Sequence, residues 1–117
     1  MADEGPSLRQ AREELIRLID KDEWHTTGRA EREGRQVLRR LMQFPTQFAV
    51  VRFALDLLKA NYPMHAIQRG EPPGSLGVGY VMNVSNEQIQ DLYIELIIEE
   101  DKVWVISFHI SKHHAGG

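Results

Sequence analysis

Between Leu92 and Ile110 the chain reads LYIELIIEEDKVWVISFHI, two runs of aliphatic, β-branched and aromatic residues around the charged turn Glu99-Glu100-Asp101-Lys102. Such runs favour extended backbone, so the stretch reads as a β-hairpin. Two registers compete. A three-residue loop sets Glu99 opposite Val103 and pairs Ile98 with Trp104, Leu96 with Ile106, Ile94 with Phe108 and Leu92 with Ile110. A two-residue loop sets Leu96 against Val105 and Leu92 against His109. Since a one-residue slip sends every side chain to the other face, the registers bury different residues. The first gathers the larger apolar set, buries Trp104 under a helix, and leaves Tyr93 opposite His109 and Glu95 opposite Ser107 on the far face.

Upstream, three amphipathic segments precede the sheet. Leu8, Ala11, Leu15, Leu18 and Ile19 recur at helical spacing, with Ser7 as N-cap and Glu13–Arg17 as an i,i+4 ion pair. Asp22–Thr27 reads as a turn, and Thr27 caps a second helix over Gly28–Gln43, with Gly34 unfavourable inside it. Phe44-Pro45-Thr46 interrupts the chain. The third helix, Gln47–Ala60, is apolar nearly all round and is expected to be the most buried, laid across the sheet. Strands follow at Met64–Arg69 and Leu76–Val84, separated by a Gly/Pro-rich loop at 70–75 that is a candidate binding loop. Ser85–Asp91 reads as a polar connection, with one helical turn at most. The expected fold is one α+β domain over residues 1–117: three N-terminal helices on one face of a four-stranded, mainly antiparallel sheet, with 1–6 and 112–117 flexible.

Charge and composition exclude several functions. With no cysteine, thiolate metal sites, disulfides and cysteine nucleophiles are absent. No apolar run is long enough to span a bilayer, and the first residues lack a signal-peptide pattern, so a cytoplasmic protein is expected. A formal charge of −3 disfavours a general nucleic-acid coat. The charge is uneven, with six arginines and two acids between Gly28 and Arg52, and six acids without a base from Glu87 to Asp101. His113 and His114 follow His109 closely but lack a companion carboxylate, and Gly74–Gly79 lacks the lysine and helix of a phosphate loop. Neither metal nor cofactor is expected.

The far face of the hairpin carries the candidate chemistry. A histidine beside a phenol and a carboxylate can move a proton near neutral pH, which nominates His109, Tyr93 and Glu95. The run GYVMNV, followed by DLYIELIIEEDKVWVISFHISK, resembles the terminal strands of RelE-like and MqsR-like toxins. The helices-then-strands order suits the wider barnase–EndoU–colicin–RelE nuclease fold. That resemblance covers about a third of the chain. It implies metal-independent RNA cleavage, in which a basic or tyrosine side chain assists attack of a 2′-hydroxyl on its own phosphate, at positions matching Arg69, Tyr80, Tyr93, His109 and Lys112. Glu95 stands where such toxins commonly have lysine. Two functions follow as expectations. One is a ribonuclease with His109 or Tyr93 as acid or base and Arg69 and Lys112 on phosphate, held in check by a cognate antitoxin-type protein. The other is a non-catalytic inhibitor-type module that binds a basic protein through the acidic edge Glu99, Glu100 and Asp101 and the loop 70–75.

Overall fold

The computed structural model describes residues 6–69 and 77–111. Its helices are α1 (Pro6–Asp20), α2 (Gly28–Leu38) and α3 (Gln47–Lys59), and its strands are β1 (Trp24–Thr26), β2 (His65–Gln68), β3 (Val78–Val84), β4 (Leu92–Glu99) and β5 (Lys102–Ile110). They form an α+β fold with the helices packed against one mixed sheet of order β1-β5-β4-β3-β2. The expected four strands are therefore five. Trp24–Thr26, expected as a turn, pairs parallel to β5 with Trp24 opposite Val103. A three-residue strand has no periodicity to betray it, and its partner lies at the other end of the chain. No described helix is long and apolar enough to cross a membrane.

Helix boundaries follow local chemistry. The first helix begins at Pro6, a residue that fits the first helical position because its missing N–H needs no partner there. Ser7 therefore lies inside the helix instead of capping it, and Arg17 pairs with Glu14, not Glu13, at 2.5 Å. Thr27 caps α2 as expected, its hydroxyl accepting from the Ala30 N–H at 3.1 Å. Thr46 does the same for α3 through Ala49, also at 3.1 Å. The second helix stops at Leu38, and the chain to Met42 continues as a turn. The end of α3 is closed by the buried Arg12, which donates to the carbonyls of Leu58 at 3.2 Å and Tyr62 at 2.6 Å. Charged donors suit this place, since the last carbonyls of a helix have no partner within it.

α2 packs most extensively on the sheet, over β5, which α1 also touches, while α3 packs on α1 and α2. The third helix, expected across the sheet, has its more extensive contacts with the other two helices. Gly34 is the reason α2 fits so closely: a Cβ there would meet both Val50 methyls at 3.0 Å and Phe108 Cδ1 at 3.2 Å. The loss in helix propensity, about 1 kcal/mol, is thus offset by packing. Phe53 reaches the sheet edge-on against Phe108, with ring centroids 5.7 Å apart. Leu15, Leu18, Leu38, Val51, Leu58, Met82, Leu92, Ile94, Leu96, Val103, Val105 and Phe108 complete the core.

The hairpin uses both competing registers. Away from the turn, Leu92 faces Ile110, Tyr93 faces His109, Ile94 faces Phe108 and Glu95 faces Ser107, as the three-residue loop requires. Near the turn, Leu96 faces Val105, Ile97 faces Trp104 and Glu99 faces Lys102, as the two-residue loop requires. A β-bulge at Ile106 absorbs the difference, since one extra residue on one strand shifts the pairing by one. Trp104 consequently lies on the face opposite Leu96 and Phe108, not under a helix, and Val105 takes the core position instead. The bulge returns His109 to the outer face.

Both turn residues, Glu100 (φ 53°) and Asp101 (φ 61°), are left-handed. Such a turn favours Asn-Gly, and L-residues with longer side chains are strained in it. Replacing the pair by Glu100→Asn and Asp101→Gly is expected to raise stability by about 1 kcal/mol. A urea midpoint unchanged or lowered would mean the turn is not under this strain.

Candidate functional site

The sheet face turned away from the helices holds the candidate residues, drawn from four strands. His109 is on β5, Tyr93 and Glu95 on β4, Gly79 on β3, and Arg69 immediately follows β2. They form a continuous polar chain. The rings of His109 and Tyr93 stack, with centroids 5.6 Å apart and planes inclined by 27°. The Tyr93 hydroxyl donates to Glu95 Oε1 at 3.0 Å. Arg69 Nε lies 2.7 Å from Glu95 Oε2, an ion pair that spans three strands, from β4 over β3 to the end of β2.

Glycine makes that crossing possible. The Glu95 side chain leans over Gly79, where a Cβ would collide with Oε2 and stand 2.9 Å from Arg69 Cδ. Glycine in a strand interior often marks such a close approach. Glu95 is only 4% exposed although it lies on the helix-free face, and its neighbours Val81 (1%) and Ile97 (8%) are buried there too. The middle of this face is thus a second, smaller apolar layer, in contrast to the expected open surface. Oε2 has no aligned hydrogen-bond donor among the described residues, so Arg69 holds it by charge.

These contacts sort the candidates by what each can do. The phenol of Tyr93 is pushed above its ordinary pKa by burial, by its hydrogen bond to Glu95 and by the Glu95 charge, while Arg69 pulls weakly the other way. At neutral pH Tyr93 therefore keeps its proton and points it at Glu95. Arg69 is engaged by Glu95 instead of standing free for phosphate. His109 differs. Its Nδ1 lies 3.1 Å from the Ile110 carbonyl oxygen. A carbonyl only accepts, so in the neutral ring Nδ1 carries the proton and Nε2 the lone pair. Nε2 has no hydrogen-bond partner among the described residues.

The raised Tyr93 pKa has a consequence for stability. A group that holds its proton more tightly when folded contributes stability that is complete below its unfolded pKa, about 10 for tyrosine, and is lost as pH climbs through the folded value. Urea midpoints measured from pH 9 upward should therefore fall less steeply for Tyr93→Phe than for the parent. Parallel curves would mean that the phenol titrates alike in both states.

Lys112, His113, His114 and the loop 70–75 lie outside the described residues, so their expected roles have no geometry here. Tyr80 packs against the core on the helix side, away from His109. Among the described residues no group of three His, Cys, Asp or Glu side chains is placed to hold a metal ion. Two residues that sequence reasoning passed over also belong to the face. His25 on β1 lies against Trp104 with ring centroids 4.7 Å apart. Gly79 is the other, and its place inside a strand was the available signal. No protein-family model, curated protein or solved structure matches the chain.

Proposed function

We propose that the chain is a small metal-independent endoribonuclease in which His109 is the general base. The observation carrying this reading is the 3.1 Å contact of His109 Nδ1 with the Ile110 carbonyl oxygen: an accepting carbonyl selects the tautomer protonated on Nδ1, which leaves Nε2 with a lone pair and no partner among the described residues. In the reaction Nε2 takes the proton of a ribose 2′-hydroxyl, and that oxygen attacks the adjacent phosphorus. The bond to the 5′ oxygen breaks, leaving a 2′,3′-cyclic phosphate. Water protonates the departing oxygen, and the imidazolium returns its proton to the hydroxide.

The surrounding groups act as positioning residues. Tyr93 supports the imidazole face, Glu95 fixes the Tyr93 hydroxyl, and Arg69 neutralises the carboxylate so that a phosphate meets no isolated negative charge. Incubation of the purified chain with total RNA, with and without chelator, tests the reading. Cleavage should proceed in both and leave 5′-hydroxyl ends. Intact RNA in both would reject it.

A non-catalytic module docking a basic protein on the acidic hairpin edge has less support. Its motive was unrelieved repulsion among the acids from Glu87 to Asp101, yet Arg69 pairs with Glu95 at 2.7 Å. Arg17 and Lys21 share a hollow of about 430 Å³ with Glu100 and Asp101. Changing Glu99, Glu100 and Asp101 together to lysine should leave RNA cleavage unchanged or raise it, because added cations draw in phosphate. A fall in cleavage would contradict that expectation.

A further inference from the structure

Five large hydrophobic residues are exposed among the described residues, and four of them fall between Leu41 and Phe48. Phe44 is 82% exposed and Phe48 55%. Scattered exposed hydrophobics are ordinary, but a contiguous cluster marks a surface that is covered in use. Beside it, an apolar groove of about 280 Å³ runs between the end of α2 and α3, walled by Leu38, Leu41, Met42, Phe48, Ala49 and Phe53, with the mutually neutralising pair Arg52–Asp56 also in its lining.

The charge around the groove points to its occupant. Of the six arginines between Gly28 and Arg52, Arg29, Arg35 and Arg52 pair with Glu33, Glu31 and Asp56. Arg32, Arg39 and Arg40 have no ion-pair partner among the described residues. Arg39 and Arg40 stand in the turn between the groove residues Leu38 and Leu41. A local positive surplus thus borders an apolar trough on a chain whose formal charge is −3.

We propose that this groove docks an amphipathic helix of a second protein, with aliphatic or aromatic anchors in the trough and acidic residues toward Arg39 and Arg40. A trough between two helices is the shape that receives a helix by its apolar stripe, and opposite charge at the rim fixes orientation and speeds encounter. Against RNA, four of the six apolar wall residues, Leu38, Leu41, Met42 and Ala49, are aliphatic and only Phe48 and Phe53 offer rings on which a base could stack. In a second copy of this chain the apolar stripe of α1 is already spent, since Leu15, Leu18 and Ile19 lie in its own core. The inference stands whether or not the chain cleaves RNA.

Selection of a random 16-residue peptide library on the full chain tests it, followed by fluorescence anisotropy of the enriched peptides. Enriched sequences should have net negative charge and hydrophobic residues spaced by three and four. Their affinity should fall at least tenfold with Arg39→Glu plus Arg40→Glu, and with Met42→Glu. Exchanging peptide glutamates for lysines should restore binding to the Arg39→Glu, Arg40→Glu variant. Phe44→Ser, at a site too exposed to disturb the core, should also weaken binding. Absence of enrichment, enrichment without acidic bias, or indifference to these substitutions would overturn the proposal. Loss of single-stranded RNA binding or of self-association, in place of peptide binding, in the same variants would overturn it equally.

Discussion

If His109 is the general base of the proposed ribonuclease, its replacement by alanine is expected to lower RNA cleavage by about 10²–10⁴-fold, the usual contribution of a positioned general base, with little change in thermal stability. The second half follows from position. His109 is half-buried on the face away from the helices, where its ring stacks on Tyr93 and meets one backbone carbonyl. His109→Gln is the sharper companion, because it keeps a polar side chain while removing the titratable nitrogen. Tyr93→Phe keeps the stacked ring but loses the hydroxyl, so its cleavage should fall far less than that of His109→Ala. Equal losses in Tyr93→Phe and His109→Ala would move the proton transfer from the imidazole to the phenol.

Replacing Arg69 by alanine is expected to destabilise the chain by about 3 kcal/mol, since it strands a buried carboxylate without its counter-charge. The estimate sits at the low end of the range for broken buried pairs because the Arg69 side chain is still 29% exposed, against 5% for Glu95. The double variant Arg69→Met, Glu95→Gln should recover most of the loss, because the desolvated charge has gone from both sides. Chemical denaturation of the parent, both single variants and the double variant gives the coupling. A loss under about 1 kcal/mol for Arg69→Ala would place the pair with ordinary surface salt bridges, and Glu95 would then be hydrated.

How far the sequence disclosed all this depended on how far apart the interacting residues lie. Local chemistry was legible: Thr27 as a cap, the helical spacing in α1, and the hairpin as a hairpin. The register was legible only in part. Side-chain patterning favoured one alignment at Phe108 and misassigned Trp104, because a single bulged residue, Ile106, switches alignments and has no local signature. The strand β1 was invisible, since three residues become a strand only through a partner contributed by β5. Tyr93 opposite His109 could be read from the hairpin alone. The Arg69–Glu95 pair could not, because it spans three strands and depends on the missing side chain of Gly79.

The place of β5 in the sheet bears on the order in which the molecule can assemble. It follows the other described strands in chain order, yet it lies between β1 and β4 and carries α2 on its surface. Its neighbour β1 is made near the beginning, and the Glu23–Lys102 pair beside it joins residues 79 positions apart. During synthesis, therefore, the three helices leave the ribosome before the strand that α2 and α1 pack on, and α2 remains without that cover until Lys102–Ile110 appears. Contacts of such long separation slow folding and prolong exposure to aggregation. Ribosome-bound chains halted before β5 should be readily digested by protease, and resistance should arrive in one step once that strand has emerged.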